Sequence, residues 1–217
     1  MSGAAIEVAW VTAVLAEVPD GDDWLGSRER AVLAELRFGP RRESWRLGRY
    51  AAKRLLGDAE ILPSTEGPPC AWRGGARLPV SLSISHRDGL GLCAAADGDV
   101  ALGCDLERIE PRGAAFLADF LTEAERAAVS QASDPAMLAN LVWSAKESAL
   151  KALHVGLRRD TRELEVSVGR PATPWGALVV RDLPNGRSFR GAWRCSDGFV
   201  VTLVSWPAPP SPVSRQP

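Results

Sequence analysis

Two acidic side chains in a short strand-like segment are the first candidates for chemistry in this chain of 217 residues. The segment reads Gly103-Cys104-Asp105-Leu106-Glu107, and because side chains alternate along a strand, Asp105 and Glu107 share one face. Two carboxylates about 7 Å apart repel each other unless a cation lies between them. Mg²⁺ is commonly held by one or two carboxylates together with substrate phosphates. The segment therefore predicts a metal site, with an exposed polar face of an edge strand as the alternative.

A second group of polar side chains recurs at helical spacing further along the chain. Trp143, Glu147 and Lys151 are four residues apart, so they line one face of the helix predicted for this segment. The alanine, leucine and valine residues around them supply a packing surface for that helix. An exposed ion pair between Glu147 and Lys151 is the alternative, because this order and spacing is common on helix surfaces.

Candidate anion-binding residues precede both segments. Ser85 and His86 end a predicted strand, where a histidine can bind a phosphate or act as a base, and an exposed histidine without a role is the alternative. Residues 27–54 contain nine basic and three acidic side chains, whereas residues 105–125 contain six acidic and two basic ones. The first run suits phosphates and the second suits a cation, with two solvated helix faces as the alternative.

The order of predicted elements indicates an α+β protein, and two similar halves are one way to arrange it. Strand-like segments lie at residues 6–16, 82–85, 90–96, 100–107, 164–168, 177–180, 188–195 and 199–205. Helical periodicity predicts helices at residues 27–38, 42–56, 116–132 and 135–154, with Asp134 as the cap of the last one. Asp97-Gly98 is a strong signal for a hairpin between two strands. Residues 65–77 are rich in Gly and Pro and are predicted to form a loop.

The composition excludes several classes of protein. With 26 basic and 27 acidic residues the net charge is −1, which disfavours a general nucleic-acid binder. No segment approaches eighteen consecutive apolar residues, so no membrane span is expected. No basic residue precedes the apolar run at the N-terminus, so no signal peptide is expected. The four cysteines lack metal-ligand spacing, which favours free thiols and a cytoplasmic location.

Taken as a pair, the segments 102–107 and 143–151 resemble the two signature motifs of the 4′-phosphopantetheinyl transferases. The chain length, the Ser85-His86 strand end and the helix around Gly48-Arg49 resemble the Sfp-type branch of that family, and the resemblance covers roughly residues 27–170. It implies an enzyme that moves the phosphopantetheine arm of coenzyme A onto a serine of an acyl or peptidyl carrier protein. The second product implied is 3′,5′-ADP.

The fold implied by this resemblance is a pair of similar α+β halves related by a pseudo-twofold axis, with coenzyme A in the cleft between them. We accordingly assign residues 1–100 to the N-terminal half and residues 101–206 to the C-terminal half. Residues 207–217, with five prolines, are expected to form a disordered tail that adds nothing to the core. Two halves in one chain favour a monomer.

The catalytic residues implied by the resemblance lie in the two motifs. Asp105, Glu107 and Glu147 match the ligands of a Mg²⁺ ion, with Mn²⁺ as the alternative cation. Glu147 is also the candidate base for the proton of the attacking serine. Lys151 is the candidate group that neutralises charge on the leaving phosphate.

Further residues are implied by the same resemblance. Glu125 matches an additional acidic position that supports the metal or the catalysis, and Glu123 competes with it for that position. The resemblance also implies residues that bind coenzyme A, with the Ser-His pair and basic residues at its 3′-phosphate end. These residues are Ser85, His86, Lys151, Arg41, Arg42 and Arg49.

The chain departs from the family pattern in the loop before the Ser-His strand. Members of the family often carry Gly-Lys-Pro there, and this chain has Gly67-Pro68-Pro69. A phosphate-binding lysine is therefore absent from the loop, and Arg73 or Arg77 is the candidate replacement.

Two other functions remain open on the residues alone. The first is a protein that binds coenzyme A or a carrier protein without turnover, and the intact set of acidic residues and Lys151 argues against it. The second is a metal-dependent phosphohydrolase, which usually needs more histidine ligands than the two this chain contains. The sequence does not indicate which carrier protein is the partner.

Overall fold

The computed structural model describes residues 5–64, 67–171 and 174–215, and these residues form a mixed α+β protein. Its α-helices are α1 (Ser27–Glu35), α2 (Gly39–Leu56), α3 (Ala114–Phe120), α4 (Glu123–Gln131) and α5 (Pro135–Ala152). Its strands are β1 (Ile6–Val14), β2 (Glu60–Leu62), β3 (Cys70–Arg73), β4 (Ala76–Arg77), β5 (Val80–Arg87), β6 (Leu90–Asp97), β7 (Ala101–Arg108), β8 (Leu164–Val168), β9 (Gly176–Asp182), β10 (Arg187–Ser196), β11 (Phe199–Trp206) and β12 (Pro210–Ser214). Within the described ranges, no helix is long and apolar enough to cross a membrane.

The first sheet has the strand order β12-β1-β6-β5, and α2 covers one of its faces. The side chains of β1 alternate between the two faces, as the pleat of a strand requires. Val11 and Ala13 pack with Leu47 of α2, whereas Val8 and Trp10 point to the opposite face. Both faces of this sheet are therefore buried.

The second sheet is antiparallel throughout and has the order β7-β11-β10-β9-β8. On one face, Ala145 and Ala149 of α5 join a core with residues of β8–β11. On the other face, Leu106 and Leu203 share a core with Val8 of the first sheet. The layers therefore run helix, sheet, sheet, helix, and the predicted α+β class is confirmed.

The predicted hairpin at Asp97-Gly98 is wrong, because β6 and β7 belong to different sheets. β6 already pairs with β1 along one edge and with β5 along the other, so no edge is left for β7. The turn instead passes the chain to the second sheet, and the Gly98 amide donates to the carbonyl oxygen of Pro79 at 2.8 Å. The edge strands β5 and β7 then lie side by side, with the Cys104 amide donating to Ser83 Oγ at 2.9 Å.

Two further predictions are corrected by the structure. The helix predicted at residues 116–132 is broken at Leu121-Thr122 into α3 and α4, because the Thr122 hydroxyl caps α4 by accepting from the Glu125 amide at 3.2 Å. The loop predicted at residues 65–77 contains β3 and β4, which form a three-stranded sheet with β2. Residues 65–66 of that loop lie outside the described residues.

The Pro-rich segment near the C-terminus is not the disordered tail that its composition predicts. Its residues Pro210–Ser214 form β12, which pairs in parallel with β1. The Arg215 amide donates to the Trp10 carbonyl oxygen at 3.0 Å, and Ser205 Oγ donates to the Ala208 carbonyl oxygen at 2.6 Å. Prolines are tolerated on an edge strand because one side of such a strand makes no ladder hydrogen bonds. Residues 1–4 and 216–217 of the assigned regions lie outside the described residues.

Truncation after Ala208 is therefore expected to destabilise the protein, because it removes β12 and leaves the edge of β1 unpaired. Each lost backbone hydrogen bond lowers the free energy of unfolding by roughly 1 kcal/mol. For a chain of this size, each kcal/mol lowers Tm by about 2–4 °C, so the loss of several bonds should lower Tm by roughly 5 °C or more. Differential scanning calorimetry measures it, and a chain ending at Arg215, which keeps β12, is the control. Equal Tm values for the two truncated chains would contradict a structural role for this strand.

Candidate active site

The close approach of β7 to α5 sets the geometry of the site. A Cβ atom on Gly103 would lie 1.8 Å from the Ser148 carbonyl oxygen, so only glycine allows strand and helix to come this near. Asp105 and Glu107 share the face of Gly103 and therefore point at α5, as the strand alternation predicts. α5 itself begins where Asp134 Oδ1 accepts from the Met137 amide at 2.9 Å, which confirms the predicted cap.

Asp105 is 4% exposed and lies at the centre of a polar cluster. Its Oδ1 atom accepts from Lys151 Nζ at 2.7 Å and from Ser85 Oγ at 2.8 Å. Lys151 Nζ also donates to Ser85 Oγ at 2.9 Å and to the Cys104 carbonyl oxygen at 3.0 Å. An ammonium group has three protons, and all three have an acceptor here. Lys151 is thus a residue that positions Asp105 and contributes positive charge.

Glu107 is held by contacts to both of its carboxylate oxygens. Trp143 Nε1 donates to Oε1 at 2.9 Å, and Arg112 Nη2 donates to Oε2 at 2.9 Å. Burial and the neighbouring charge of Asp105 raise the pKa of Glu107, while the donors from Trp143 and Arg112 oppose that shift. Arg112 was not singled out by the sequence, because nothing in the spacing of residues 107 and 112 predicts that this side chain folds back onto the strand.

Two buried carboxylate oxygens in this cluster have no hydrogen-bond partner among the described residues: Asp105 Oδ2 and Glu147 Oε1. Burial, followed by the charge of Asp105, raises the pKa of Glu147 to about 7, and the charge of Lys151 only partly opposes this shift. An unpaired buried carboxylate oxygen is costly to the folded state. A cation bound to these two oxygens would offset both the cost of their desolvation and the repulsion between the two carboxylates.

The donor set fits a hard cation such as Mg²⁺, although the described residues hold no ready-made cluster of three or more His, Cys, Asp or Glu side chains around one point. Mg²⁺ is usually bound by one or two carboxylates, with substrate phosphates and water completing its six ligands. Asp105 and Glu147 each supply an unengaged oxygen for this purpose. Glu107 would join them only by releasing Arg112 or Trp143.

A basic chamber with a volume of about 700 Å³ opens beside α2. Arg41, Arg49 and His86 line it, and the Arg49 guanidinium lies 4.2 Å from the centre of the Trp45 ring. Burial lowers the pKa of Arg49 to about 10, which leaves the group charged at neutral pH. Burial, followed by the charge of Lys151, lowers the pKa of His86, so this imidazole is neutral at pH 7.

A second chamber of about 590 Å³ continues from the first, and the two share Ser64, Gly67, Pro69 and Ile84 as wall residues. Its far wall comes from the end of α5 and the turn that follows, through Lys151, His154 and Arg158. The sequence assigns no role to His154 and predicts it as the last residue of the helix 135–154. In the structure α5 ends at Ala152, and His154 lies in the turn beyond it.

The structure separates several residues that the sequence grouped at coenzyme A. Ser85 and His86 are neighbours on a strand and point to opposite faces, so Ser85 contacts Asp105 while His86 lines the first chamber. Arg42 turns away from the chamber, and its Nη1 donates to the carbonyl oxygens of Leu33 at 2.5 Å and Leu36 at 3.2 Å. It therefore caps the C-terminal end of α1.

Most of the basic run at residues 27–54 is engaged in structural contacts rather than gathered at a ligand site. The basic residues with carboxylate partners are Arg28 with Glu60, Arg46 with Asp22, Lys53 with Glu29, and Arg54 with Glu17. Arg30 donates to the Leu25 carbonyl oxygen. Only part of the predicted phosphate-binding run therefore faces the groove.

The further acidic position at Glu125 has structural contacts. Its Oε1 accepts from the Val166 amide at 2.8 Å, its Oε2 accepts from the Thr122 amide at 2.7 Å, and Lys146 Nζ lies 2.6 Å from Oε2. These contacts engage both carboxylate oxygens and tie α4 to α5 and β8. Glu123 is exposed in the first turn of α4.

The two arginines expected to replace the loop lysine are also away from the groove. Arg73 is paired with Asp58 at 2.7 Å and donates to the Leu56 carbonyl oxygen at 2.5 Å. Arg77 lies exposed on β4. The cations that face Pro68 across the second chamber are Lys151 and Arg158.

Two comparisons with known proteins show what the chain is similar to. Residues 101–204, which contain both acidic segments, match the model of the 4′-phosphopantetheinyl transferase superfamily. The chain is 29% identical over 225 residues to the 4′-phosphopantetheinyl transferase Svp of Streptomyces mobaraensis. That alignment covers 95% of the present chain and 89% of the relative.

The mixed α+β fold presents a strand carboxylate to a Lys-Glu helix beside a basic groove, an arrangement that suits a ligand with phosphate groups. The two matches support the family predicted from the sequence: residues 101–204 are similar to the 4′-phosphopantetheinyl transferase superfamily, and most of the chain is similar to a protein of that name.

Glu147→Gln is expected to stabilise the metal-free protein at alkaline pH. Because the pKa of Glu147 is raised from 4.5 to about 7 in the folded state, the folded protein binds this proton more tightly than the unfolded chain. Its contribution to stability is therefore full below pH 4.5 and is lost as the pH rises toward 7. The amide removes this loss, so Tm at pH 8 in chelator should rise by about 2 °C or more.

The same substitution should leave Tm nearly unchanged at pH 4.5. Glu123→Gln, which neutralises an exposed carboxylate on α4, is the matched control and should show no such pH dependence. A lower Tm for Glu147→Gln at pH 8 would mean that the carboxylate is not destabilised by its surroundings.

Proposed function

We propose that the protein transfers the 4′-phosphopantetheine arm of coenzyme A to a serine hydroxyl of an acyl or peptidyl carrier protein, with Mg²⁺ as cofactor and 3′,5′-ADP as the second product. The observation that carries the proposal is the groove lined by cations that ends at Lys151, where two buried carboxylate oxygens are unpaired. A groove of this kind suits a long ligand with anionic groups at separate points, as coenzyme A has.

The two chambers suit the two anionic parts of coenzyme A. Arg41, Arg49 and the neutral imidazole of His86 can donate hydrogen bonds to the 3′-phosphate in the first chamber. Lys151 places positive charge near the pyrophosphate in the second. Charge-assisted hydrogen bonds to phosphate are among the stronger polar contacts in proteins, so these residues would fix the ligand's direction in the groove.

Asp105 and Glu147 would hold the Mg²⁺ ion, and Mn²⁺ is the alternative cation. Glu107 is the third candidate ligand, at the expense of one of its present donors. When bound, the cation would neutralise the charge that builds up on the pyrophosphate oxygens during transfer. Lys151 keeps Asp105 Oδ1 in place and leaves Oδ2 for the ion.

The chain's own residues would then assist a displacement at phosphorus. The serine oxygen of the carrier forms a bond to the β-phosphorus of coenzyme A, and the bond from that phosphorus to the bridging oxygen breaks. 3′,5′-ADP leaves with the bridging oxygen and its electron pair, and the serine proton passes to Glu147. A carboxylate with a pKa of about 7 is well matched to accept this proton at neutral pH.

The proposal extends to the arrangement of the chain and its location. Each of the long helices α2 and α5 covers a sheet formed mainly by strands of its own half of the chain. This arrangement supports two halves that are divided near residue 100. We propose that a pseudo-twofold axis relates them, as in the Sfp-type branch. The four free cysteines support a reducing compartment such as the cytoplasm. A monomer is the proposed state.

Glu147→Gln is expected to abolish most of the transfer activity. Loss of a general base or of a metal ligand costs on the order of 10²-fold or more in turnover. The test is intact mass spectrometry of an apo-carrier protein incubated with coenzyme A and Mg²⁺, with excess chelator as a second arm. Asp99→Asn, which alters an exposed carboxylate on the turn before β7, is the control with normal activity.

Four results, two from this assay and two from measuring the binding and consumption of coenzyme A, separate the alternatives. Recovery of Glu147→Gln at raised Mg²⁺ would make the residue a ligand alone, and near-normal turnover at ordinary Mg²⁺ would overturn both roles. Coenzyme A consumption without any carrier would indicate a phosphohydrolase, and binding without consumption would indicate a non-catalytic protein.

His86→Ala is expected to weaken binding of coenzyme A by roughly tenfold, the value of one charge-assisted hydrogen bond. Binding of dephospho-coenzyme A should change little, because it lacks the 3′-phosphate that His86 faces. Isothermal titration calorimetry of both ligands measures the difference. Equal losses for the two ligands would place His86 elsewhere on the ligand.

A further inference from the structure

The turn that follows α5 forms one wall of the second chamber. His154 and Arg158 line the chamber from this turn, opposite Gly67, Pro68 and Pro69 of the segment before β3. The titratable side chains among the described wall residues are Lys151, His154 and Arg158, and no carboxylate is among them. The chamber is therefore a positively charged space in a protein whose net charge is −1.

Arg158 differs from the other arginines of its segment in having no acidic partner in the described part of the chain. Its Nε donates to the Val155 carbonyl oxygen at 3.1 Å and its Nη2 to the His154 carbonyl oxygen at 3.4 Å. By contrast, Arg159 binds Glu163 and Asp182, and Arg162 binds Asp160. Arg158 is thus anchored by backbone carbonyls, and no carboxylate among the described residues neutralises its positive charge.

His154 adopts a backbone conformation that is unusual for a residue with a side chain. Its φ is 59°, in the left-handed region, and the Val155 amide donates to the Leu150 carbonyl oxygen at 3.2 Å while the His154 amide donates to that of Lys151 at 3.1 Å. These two bonds form a Schellman motif, in which glycine is the usual residue at this position. A Cβ placed on Gly67 would lie 3.7 Å from His154 Nδ1, so the imidazole reaches the opposite wall.

Left-handed backbone at residues other than glycine is enriched at ligand sites. The imidazole of His154 and the guanidinium of Arg158, which has no carboxylate partner among the described residues, face the same chamber. The two loop arginines that the sequence offered as replacements are engaged elsewhere or exposed on β4. The charge opposite Pro68 therefore comes from the C-terminal half of the chain.

We propose that the turn 154–158 is a phosphate-binding element in which Arg158, supported by His154, contacts the pyrophosphate of coenzyme A. The inference rests on the proposed function, since it assigns a residue to the ligand of the same groove. In this proposal Arg158 binds the pyrophosphate of coenzyme A, whereas His86 binds the 3′-phosphate.

The test compares the affinities of wild type, Arg158→Gln, Arg158→Lys and His154→Asn for coenzyme A and dephospho-coenzyme A by isothermal titration calorimetry. Asparagine tolerates the left-handed conformation, so His154→Asn keeps the turn. Arg190→Gln removes the same charge from an exposed position on β10 and is the control. Thermal unfolding of each variant verifies that it is folded.

Arg158→Gln is expected to weaken both ligands by roughly tenfold, because both carry the pyrophosphate, and Arg158→Lys should recover part of the loss. His154→Asn should weaken both ligands by a smaller factor. Unchanged affinity in Arg158→Gln, or a loss for coenzyme A alone, would overturn the inference and leave the proposed function untouched, as long as the wild type binds coenzyme A. A wild type that binds neither ligand would overturn both.

Discussion

The ion pair between Asp105 and Lys151 is the contact on which the site depends. It joins the second sheet to α5, and through Ser85 Oγ it also holds the edge strand of the first sheet. A buried charge without a partner is strongly unfavourable, so loss of either member would disturb all three elements at once. The approach of β7 to α5 at Gly103 is what brings the two charges within 2.7 Å.

The Asp105–Lys151 ion pair does not neutralise the other carboxylates of the cluster, which repel one another. Trp143 and Arg112 hold Glu107, whereas one oxygen each of Asp105 and Glu147 stays buried and unpaired. Donors hold Asp105 and Glu107 in place, whereas no donor among the described residues is seen for the buried Oε1 of Glu147. Engaging Glu107 with a cation would therefore require one of its present donors to move.

The sequence predicted the local features of the site and missed those that depend on distant contacts. β7 and α5 follow from alternation, helical periodicity and the Asp134 cap, so the shared faces of Asp105, Glu107, Glu147 and Lys151 were predictable. The sheet of β2–β4 was not, since strands of two to four residues carry no periodic signal. Nor could spacing show that Arg42 caps α1 or that Arg158 faces the groove, because both depend on how the chain returns on itself.

Because β12 pairs in parallel with β1, the strand that covers the outer edge of β1 is synthesised long after β1 itself. During vectorial synthesis on the ribosome, β1, β6 and β5 emerge early and can associate. The outer edge of β1 has no hydrogen-bonding partner until residues 210–214 are translated, almost a full chain later. Until β12 is made, the nascent protein therefore exposes a sheet edge that could pair with other chains.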